Sequence, residues 1–510
     1  MNMNICIKGT NMEKREVYFT LGSHLDLFWM GTSYECLEKG AEIIMKALEL
    51  CREYEEYCFY IETTVFADYF LMKHPEQRDY FLQLVNEQRI EISGVYVDRV
   101  EHSHEGESLI RHTLYGIKWL KENLKIIPRS VFHPDLPGLS PQVPQIYAKS
   151  GIYFYLQARG AFRDGAVRTW KSPDGSSVLY CNMPYGYGEK SEDNVRRSLE
   201  NSEGFPLGRI LMRGGYSDLQ MPSSRIIELI NVCRERFKDV DFFISSPTPA
   251  LEPYRGMELP VISGEMPFGW GAASTIRVKL FDMSAQLESL LLTSEKVSAI
   301  AEMTCGEVKW EGKAPRDIND NDIPDGKELT EAWRFELFTQ DHNYAGRHGA
   351  QSEFDKTEMK RQGLAICDRI IASSLSSIAG EVKTKDVQGL SIMVFNPLSW
   401  ERTDITTLNI SSSWDIDPHS IIVRDQEGQL VAHQIIEENG QAILCFHAQS
   451  IPSLGYRTFY MSHEDNNIHF SETPVSVYES QGCQVINNGF FVIGMDKRYL
   501  ARITKEVSIH

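Results

Sequence analysis

Residues 17–29 read VYFTLGSHLDLFW, and this stretch decides the fold prediction. The run 17–21 is rich in β-branched and aromatic side chains, which predicts a buried strand, and a polar stretch begins directly after it at Gly22. Farther along, residues 37–51 place apolar side chains on one stripe and charged side chains on the opposite face, which predicts an amphipathic helix. A strand followed by a helix is the repeating unit of a parallel sheet.

The same unit recurs through the first half of the chain. Strand-like runs are found at 58–61, 90–97, 152–156, 178–183, 210–212 and 242–245. Helical segments separate them, so we predict an α/β multidomain protein whose catalytic domain, residues 12–255, is a β/α barrel.

Two further domains are predicted after the barrel. Helical segments at 278–302, 329–344 and 355–378 predict a three-helix bundle within residues 256–382. From 383 to 510, β-branched and aromatic residues alternate between turn residues, which predicts an antiparallel β-sandwich domain. We expect this domain to be incomplete, because the sequence stops without an evident closing element.

Composition limits the classes of partner. The 510 residues carry 52 Lys and Arg against 71 Asp and Glu, a net charge of −19, which argues against a nucleic-acid partner. No run approaches the roughly 20 apolar residues of a membrane span, and the N-terminal segment lacks the apolar core of a signal peptide. The ten cysteines form no Cys-x-x-Cys pair. We therefore expect a cytoplasmic protein without a membrane or nucleic-acid partner, and a homo-oligomer is left open.

The first candidate site follows the first strand. His24 and Asp26 are two residues apart, so their side chains point the same way in extended chain. An imidazole and a carboxylate on one side can share a divalent metal such as zinc, and Trp29 could offer an apolar face to a sugar ring. Taken alone, the same residues also fit a surface His-x-Asp next to a core tryptophan.

Other polar clusters follow other strands or a helix. Residues 94–108 crowd carboxylates and imidazoles, among them Asp98 and Glu101, at the end of a strand. Asp135 lies in a proline-rich loop after another strand, and Asp218 follows a Gly-Gly turn. His342 ends a predicted bundle helix. For the last three, a solvated loop or helix end is the favoured explanation of each position taken alone.

Taken together in order, these segments resemble glycoside hydrolase family 38, the zinc-dependent α-mannosidases. His24-Leu25-Asp26 with Trp29 resembles the family's His-x-Asp-x-x-Trp, and Gln340-Asp341-His342-Asn343 resembles its Gln-x-His-Asp helix end. The segments that are similar to its remaining blocks are Pro128-Arg129-Ser130, Asp135 with Gly138-Leu139-Ser140, 394–400 and 451–460.

The resemblance implies a seven-stranded β/α barrel and a zinc-dependent retaining α-mannosidase acting on oligosaccharides. It assigns His24, Asp26 and His342 as ligands of Zn²⁺, for which Co²⁺ could substitute, together with an aspartate of the 94–108 cluster that is also the nucleophile. It assigns Asp218 as general acid/base. Substrate-binding residues would be Trp29, Arg129 and Asp135.

The chain departs from the family pattern where the nucleophile belongs. Aligned without gaps, the family's Trp-Val-x-x-Asp-Glu becomes Tyr96-Val97-Asp98-Arg99-Val100-Glu101, which puts a valine in the nucleophile column. Valine can neither ligate zinc nor attack carbon. Either Asp98 or Glu101 takes the role, with Asp98 favoured as both ligand and nucleophile, or the chain is inactive.

Three lesser points follow from the same pattern. Asn343 replaces the family's aspartate and removes a charge that could orient the ligand. His348 is a reserve ligand, and Gly22 stands where some members have a further histidine. Two alternatives remain: a carbohydrate-binding pseudoenzyme that lacks a nucleophile, and a zinc deacetylase on a related barrel, in which the bundle histidine would have no place.

Overall fold

The computed structural model describes most of the chain. The described residues are 14–136, 138–159, 165–183, 190–266, 277–306, 326–344, 346–384, 389–411, 414, 417–463, 475–480, 483–488, 491–495 and 500–505. The chain packs into two compact units, Met1–Ser374 and Leu375–His510, and each is treated by itself below. The predicted boundaries at 255 and 382 stay predictions.

The strands of the first unit are short. They are β1 (Arg15–Thr20), β2 (Phe59–Ile61), β3 (Ile90–Ile92), β4 (Ser130–His133), β5 (Phe154–Gln157), β6 (Ala166–Lys171), β7 (Ser177–Asn182), β8 (Arg209–Arg213), β9 (Val240–Ile244) and β10 (Val261–Ser263).

The helices alternate with these strands and then continue alone. They are α1 (Ser33–Glu53), α2 (Thr64–Lys73), α3 (Arg78–Asn86), α4 (Gly106–Leu124), α5 (Val143–Lys149), α6 (Glu192–Glu200), α7 (Arg225–Arg236), α8 (Pro247–Leu251), α9 (Val278–Cys305), α10 (Glu328–Thr339) and α11 (Gly349–Glu381).

Parallel pairing dominates the first unit, as the alternation of strands and helices predicts. Strand β1 lies between β8 and β9, β2 pairs with β3, and the five-stranded sheet has the order β10-β6-β7-β5-β4. Every pair is parallel except β6 with β7. The ladders of the described strands belong to separate sheets, so the closed seven-stranded barrel stays a prediction.

Helix α1 forms where the apolar stripe predicts it. The stripe residues are all buried: Leu37, Ala41, Ile44, Leu48 and Cys51. Thr32 and Glu35 form a reciprocal capping box, in which the Thr32 side chain accepts from the Glu35 backbone and the Glu35 carboxylate accepts from the Thr32 backbone. Capping fixes where the helix starts and therefore the length of chain between β1 and α1, which carries His24 and Asp26.

The predicted strand 90–97 is too long, because β3 ends at Ile92. Beyond it the backbone bonds to several different neighbours: Gly94 N–H donates to Ser130 at 3.3 Å and Tyr96 N–H donates to His112 at 3.0 Å. A Cβ at Gly94 would lie 2.6 Å from the Ile152 side chain, so a larger residue here would require that side chain to shift. The irregular path carries the chain out of the sheet toward Asp98.

Helix α10 is shorter than predicted. It ends at Thr339, whereas the apolar pattern extends to 344, so residues 340–343 leave the helix and turn inward. Lys360 of α11 donates to Ser284 of α9 and to Glu336 of α10, both at 2.7 Å, so hydrogen bonds connect the three long helices. Among the described helices, none has a stretch apolar and long enough to cross a membrane.

The second unit is antiparallel, as predicted. Its strands are β11 (Leu390–Asn396), β12 (Arg402–Asn409), β13 (Ile421–Arg424), β14 (His433–Glu438), β15 (Gln441–Ile451), β16 (Gly455–His463), β17 (Ser476–Ser480), β18 (Cys483–Asn487), β19 (Phe491–Met495) and β20 (Leu500–Lys505). They form sheets of order β11-β16-β13, β12-β15-β14 and β17-β18-β19-β20. Phe446 and Phe459 meet edge to face in the core of this unit, with ring centroids 5.2 Å apart.

Candidate active site

His24 and Asp26 lie in the segment that follows β1. The backbone of His24 is fixed on both sides, because its N–H donates to Ser217 at 3.1 Å and its carbonyl accepts from Leu219 at 2.8 Å. The side chains of His24 and Asp26 point the same way, as their spacing predicts, with His24 Nε2 3.0 Å from Asp26 Oδ1. Both are almost fully buried.

His342, in the segment that follows α10, lies beside His24 and Asp26 although it is distant from them in sequence. Its N–H donates to the Asp98 carbonyl at 3.0 Å, and its Nε2 lies 3.3 Å from Asp26 Oδ1. One ligand atom each from His24, Asp26 and His342 lie within 4.8 Å of one another. We call these three residues the His24 cluster.

The donor set of the His24 cluster fits a divalent cation. Bonds of 2.0–2.1 Å in a tetrahedral site place neighbouring ligand atoms about 3.3 Å apart, close to the 3.0 Å and 3.3 Å that separate Asp26 Oδ1 from His24 Nε2 and His342 Nε2. Burial alone would raise the pKa of Asp26, but the His24 and His342 imidazoles outweigh it and hold that pKa well below its usual range. Two imidazoles and an ionised carboxylate are the ligand types that Zn²⁺ and Co²⁺ take.

Glu62 supports this cluster and was missed by the sequence analysis. It follows β2 directly, is buried, and accepts from His24 Nδ1 at 2.9 Å and from the Leu25 N–H at 3.0 Å. A carboxylate on the far ring nitrogen fixes the orientation and tautomer of a metal-binding histidine. The available signal was a single acid immediately after a buried strand.

Asn343 does more than remove a charge. Its side-chain amide donates to Asp26 Oδ1 at 2.9 Å, to the Leu27 carbonyl at 2.8 Å and to Asp341 Oδ1 at 3.1 Å. An aspartate at this position would set a third carboxylate against Asp26 and Asp341, which disfavours ionisation. In this chain the acid precedes the histidine as Asp341, and the amide that follows the histidine bridges the two acids.

Asp98 lies next to the His24 cluster and outside it. One carboxylate oxygen contacts His133 Nδ1, and the other lies 3.8 Å from His342 Nδ1, the ring nitrogen that faces away from Asp26. Burial alone would raise its pKa, but His133 and His342 hold that pKa below the usual value, so the carboxylate is ionised at neutral pH. His133 in turn contacts the Tyr147 hydroxyl at 2.9 Å. No sequence motif indicated a role for His133.

Val100 and Glu101 complete the segment 98–101, which we call the departing segment because it departs from the family pattern. Val100 is buried, and Glu101 is buried with its Oε1 3.6 Å from the Arg99 guanidinium. Arg99 also donates to Tyr147 at 3.4 Å. Of the two candidate acids, Asp98 therefore has the contact with the His24 cluster, and Glu101 has an internal ion pair.

Asp135, Asp218 and Trp29 also lie beside the cluster or its segment. Asp135 Oδ2 is 3.9 Å from His24 Nε2, and its other oxygen pairs with Arg159. Asp218 is half-buried and forms a parallel bridge with His24 through the backbone. Trp29 is 39% exposed, so its ring is accessible from solvent.

Two predicted residues are not brought to this place. Arg129 precedes β4, at the opposite end of that strand from His133, and its exposed guanidinium lies 3.8 Å from Glu252. His348 is exposed and lies just before α11. A sequence motif places neighbours near a site, but a strand of extended chain separates its two ends by more than 10 Å.

Gly22 also has a structural explanation. A Cβ there would collide with the Tyr216 ring, which is fully buried. The space that a histidine at this position would need is therefore occupied by Tyr216, and the residues that surround the His24 cluster come from other segments.

Comparisons with known proteins agree with the motif analysis. Residues 14–240 match the glycosyl hydrolases family 38 N-terminal domain. Alpha-mannosidase G of Dictyostelium discoideum is 23% identical over 389 residues, covering 72% of this chain and 34% of that protein. An alpha-mannosidase of Saccharomyces cerevisiae is 25% identical over 222 residues, covering 41% and 20%. The chain thus spans about a third or less of the length of these curated relatives.

The fold is similar to a solved structure as well. The crystal structure of an alpha-mannosidase from Enterococcus faecalis V583 superposes with a TM-score of 0.72 at 16% identity, covering 97% of this chain and 62% of that one. This similarity concerns the fold. The match of residues 14–240 agrees with the family that the motifs resemble.

Proposed function

We propose that this chain, whose residues 14–240 match the glycosyl hydrolases family 38 N-terminal domain, is a zinc-dependent retaining α-mannosidase acting on oligosaccharides. The observation that carries the proposal is the His24 cluster, in which two imidazoles and a carboxylate from distant segments face one another. His24, Asp26 and His342 would hold the cation, with Co²⁺ able to replace Zn²⁺. We further propose the closed barrel and bundle as its scaffold and the cytoplasm as its location.

The cation would supply Lewis-acid binding of sugar hydroxyls. Asp135 would hold a hydroxyl of the same sugar or complete the ligand set, and its 3.9 Å distance from His24 Nε2 supports this role. Trp29 would stack on the pyranose with its exposed ring. Glu62 keeps the His24 ring in the orientation in which Nε2 faces Asp26.

Asp98 is our proposed nucleophile. Its ionised carboxylate would attack the anomeric carbon, while Asp218 donates a proton to the departing glycosidic oxygen. The resulting glycosyl ester would be hydrolysed by water, with Asp218 taking the proton, so the anomeric configuration is retained. His133 would release its hydrogen bond to Asp98 as the ester forms.

A second candidate function is favoured by Val100. Val100 occupies the position that the family pattern gives to the nucleophile. If Asp98 cannot act as the nucleophile in its place, the chain would bind a mannoside through the cation without cleaving it. Binding without cleavage requires the His24 cluster and Asp135 and leaves the contact of Asp98 with His133 undisturbed.

One assay separates the two functions. The full chain is stripped with a chelator and then given an aryl α-mannoside with and without Zn²⁺ or Co²⁺, and both product release and mannoside binding are measured. A mannosidase releases the aryl group only with metal. Metal-dependent binding with no release supports the pseudoenzyme, and no metal-dependent binding or release contradicts both.

A further inference from the structure

A second group of ligand-type side chains lies inside the helical part of the first unit. His104 follows the departing segment, Glu288 is on α9 and Glu336 is on α10, and one ligand atom of each lies within 4.8 Å of the others. All three side chains are at least 97% buried. We call these residues the His104 cluster.

His104 points into this cluster without a hydrogen bond of its own. Neither ring nitrogen has a hydrogen-bond partner among the described residues, and Nδ1 lies 3.7 Å from Glu288 Oε1. Its ring stacks on Phe281 with centroids 6.2 Å apart. Burial, with nearby Lys360 and other cations, lowers the pKa of His104 well below its usual value, so the imidazole is neutral with a free lone pair. Buried imidazoles normally have partners, so this one requires an explanation.

The two glutamates are not equally compensated. Glu336 accepts from Lys360 at 2.7 Å and from Ser284 at 2.7 Å. Glu288 accepts from the Gln340 amide at 2.9 Å and from the Glu105 N–H. Among the described residues, no lysine or arginine forms an ion pair with Glu288. Burial and the neighbouring Glu336 raise the pKa of Glu288 to about 7. Lys360 therefore bonds directly to Glu336 and not to Glu288, and the buried Lys356, which also acts on Glu336, donates its hydrogen bonds to the Asp341 and Asn343 carbonyls.

We propose that His104, Glu288 and Glu336 form a second divalent-cation site, distinct from the His24 cluster, for a transition metal of the Zn²⁺, Mn²⁺ or Co²⁺ class. One imidazole with two carboxylates is a donor set that these ions accept, and a divalent charge offsets the Glu288 carboxylate. The Gln340 amide, which donates to both glutamates, would give up these bonds as the cation enters. Lys360 can keep its hold on Glu336 Oε2.

The position suggests a structural role. The cation would fasten α9 and α10 to the loop that follows residues 98–101, and Gln340 lies two residues before His342. The second site would therefore hold in place both the departing segment and the turn that carries a ligand of the first site. It does not depend on the proposed mannosidase activity.

Metal counting in a background that lacks the first site tests this proposal. The full-length H24N variant is stripped with a chelator, loaded with Zn²⁺, desalted and measured by mass spectrometry for zinc per chain. We expect one zinc per chain in H24N and none in H24N/E288Q, with zinc affinity at least 100-fold lower. The matched control is E295Q, another glutamate of α9, which pairs with Arg111 and Trp333 and should keep the zinc.

The outcomes separate this proposal from that of the first site. Equal zinc in wild type and H24N would contradict the first site alone, and absence of zinc from H24N would overturn the second. Zinc retained in H24N/E288Q would also overturn it. Circular dichroism checks folding, and H24N/H104Q, with the same loss expected, replaces any double variant that does not fold.

Discussion

The His24 cluster and the segment 98–101 belong to the same unit and differ in how their side chains are used. In the cluster, His24, Asp26 and His342 face one another and are held by groups outside it. In the segment, Asp98 contacts His133 and Glu101 pairs with Arg99, so both acids already have internal partners. The first region matches the family pattern, and the second departs from it.

The proposed cation binding and the proposed cleavage therefore depend on different parts of the unit. A cation site needs donors that converge, and of these two regions the His24 cluster meets that requirement. Cleavage needs an additional carboxylate that can leave its own hydrogen bond and reach carbon. In the segment 98–101, Asp98 is the carboxylate near the cluster. Whether the chain cleaves a mannoside therefore depends on whether Asp98 acts as the nucleophile.

Replacing Asp98 in the departing segment should cause the greatest loss of catalysis. In D98N the amide cannot form the glycosyl ester, so kcat on an aryl α-mannoside should fall by roughly a thousandfold or more, while zinc content stays the same. Steady-state kinetics with metal analysis measures both. The matched control is E101Q, which should change kcat by less than about tenfold. If E101Q is the inactive variant and D98N turns over normally, Glu101 is the nucleophile.

The next effect breaks the first region. H342N removes one imidazole ligand from the His24 cluster and does not change the sequence of the departing segment. Because a ligand is lost, zinc affinity should fall by more than about 100-fold. Isothermal titration with Zn²⁺ measures this loss. H348N, which changes an exposed histidine near the same turn, is the control and should bind zinc like wild type. A loss in H348N with none in H342N would identify His348 as the ligand instead.

A smaller effect sharpens the account of the first region. In E62Q the side chain keeps its shape but loses the charge that orients His24, so zinc affinity should fall by about 10- to 100-fold, less than in H342N. The same titration measures it. A zinc affinity unchanged from wild type would show that Glu62 does not act through His24.

The V100D variant tests whether an aspartate at position 100, where the family pattern has its nucleophile, increases activity. Val100 is buried, so an added carboxylate should lower the free energy of unfolding by about 1–3 kcal/mol, and with Asp98 as nucleophile it should give no gain in kcat. Thermal unfolding and kinetics are the measurements, with V100N as the neutral control. A gain in kcat of tenfold or more would show that position 100 faces the sugar and that the natural chain is impaired.

The smallest effect concerns a residue outside both regions. Arg129 is exposed and near Glu252, so R129Q should change kcat/KM by less than about twofold and zinc affinity not at all. The measurement is the same kinetic assay. A large loss of kcat/KM with stability unchanged would return Arg129 to the substrate site.

Local patterns predicted the parts of the site that depend on local geometry. The two-residue spacing of His24 and Asp26 and the stripe of α1 were enough to place these side chains correctly. His342 lies 318 residues beyond His24, and only the family resemblance connected them, because no periodicity relates such distant segments. Contacts that depend on the packing of sheets escaped: Glu62 on His24 and His133 on Asp98.

The errors of extent have a physical cause too. The pattern at 90–97 is that of a strand, but the backbone after Ile92 finds its hydrogen-bond partners in other elements, Ser130 and His112 among them. Those partners depend on tertiary packing, which overrides local strand preference. The same packing sends the chain toward Asp98 and the His24 cluster.

Anomalous diffraction at the zinc edge can show whether the His24 cluster binds zinc, the claim on which the proposed function depends. Crystals of the full chain grown with Zn²⁺ should show a peak bonded to His24 Nε2, the Asp26 carboxylate and His342 Nε2, with distances of about 2.0–2.2 Å. Zinc found elsewhere in the chain, with these three side chains still bonded to one another, would contradict the claim.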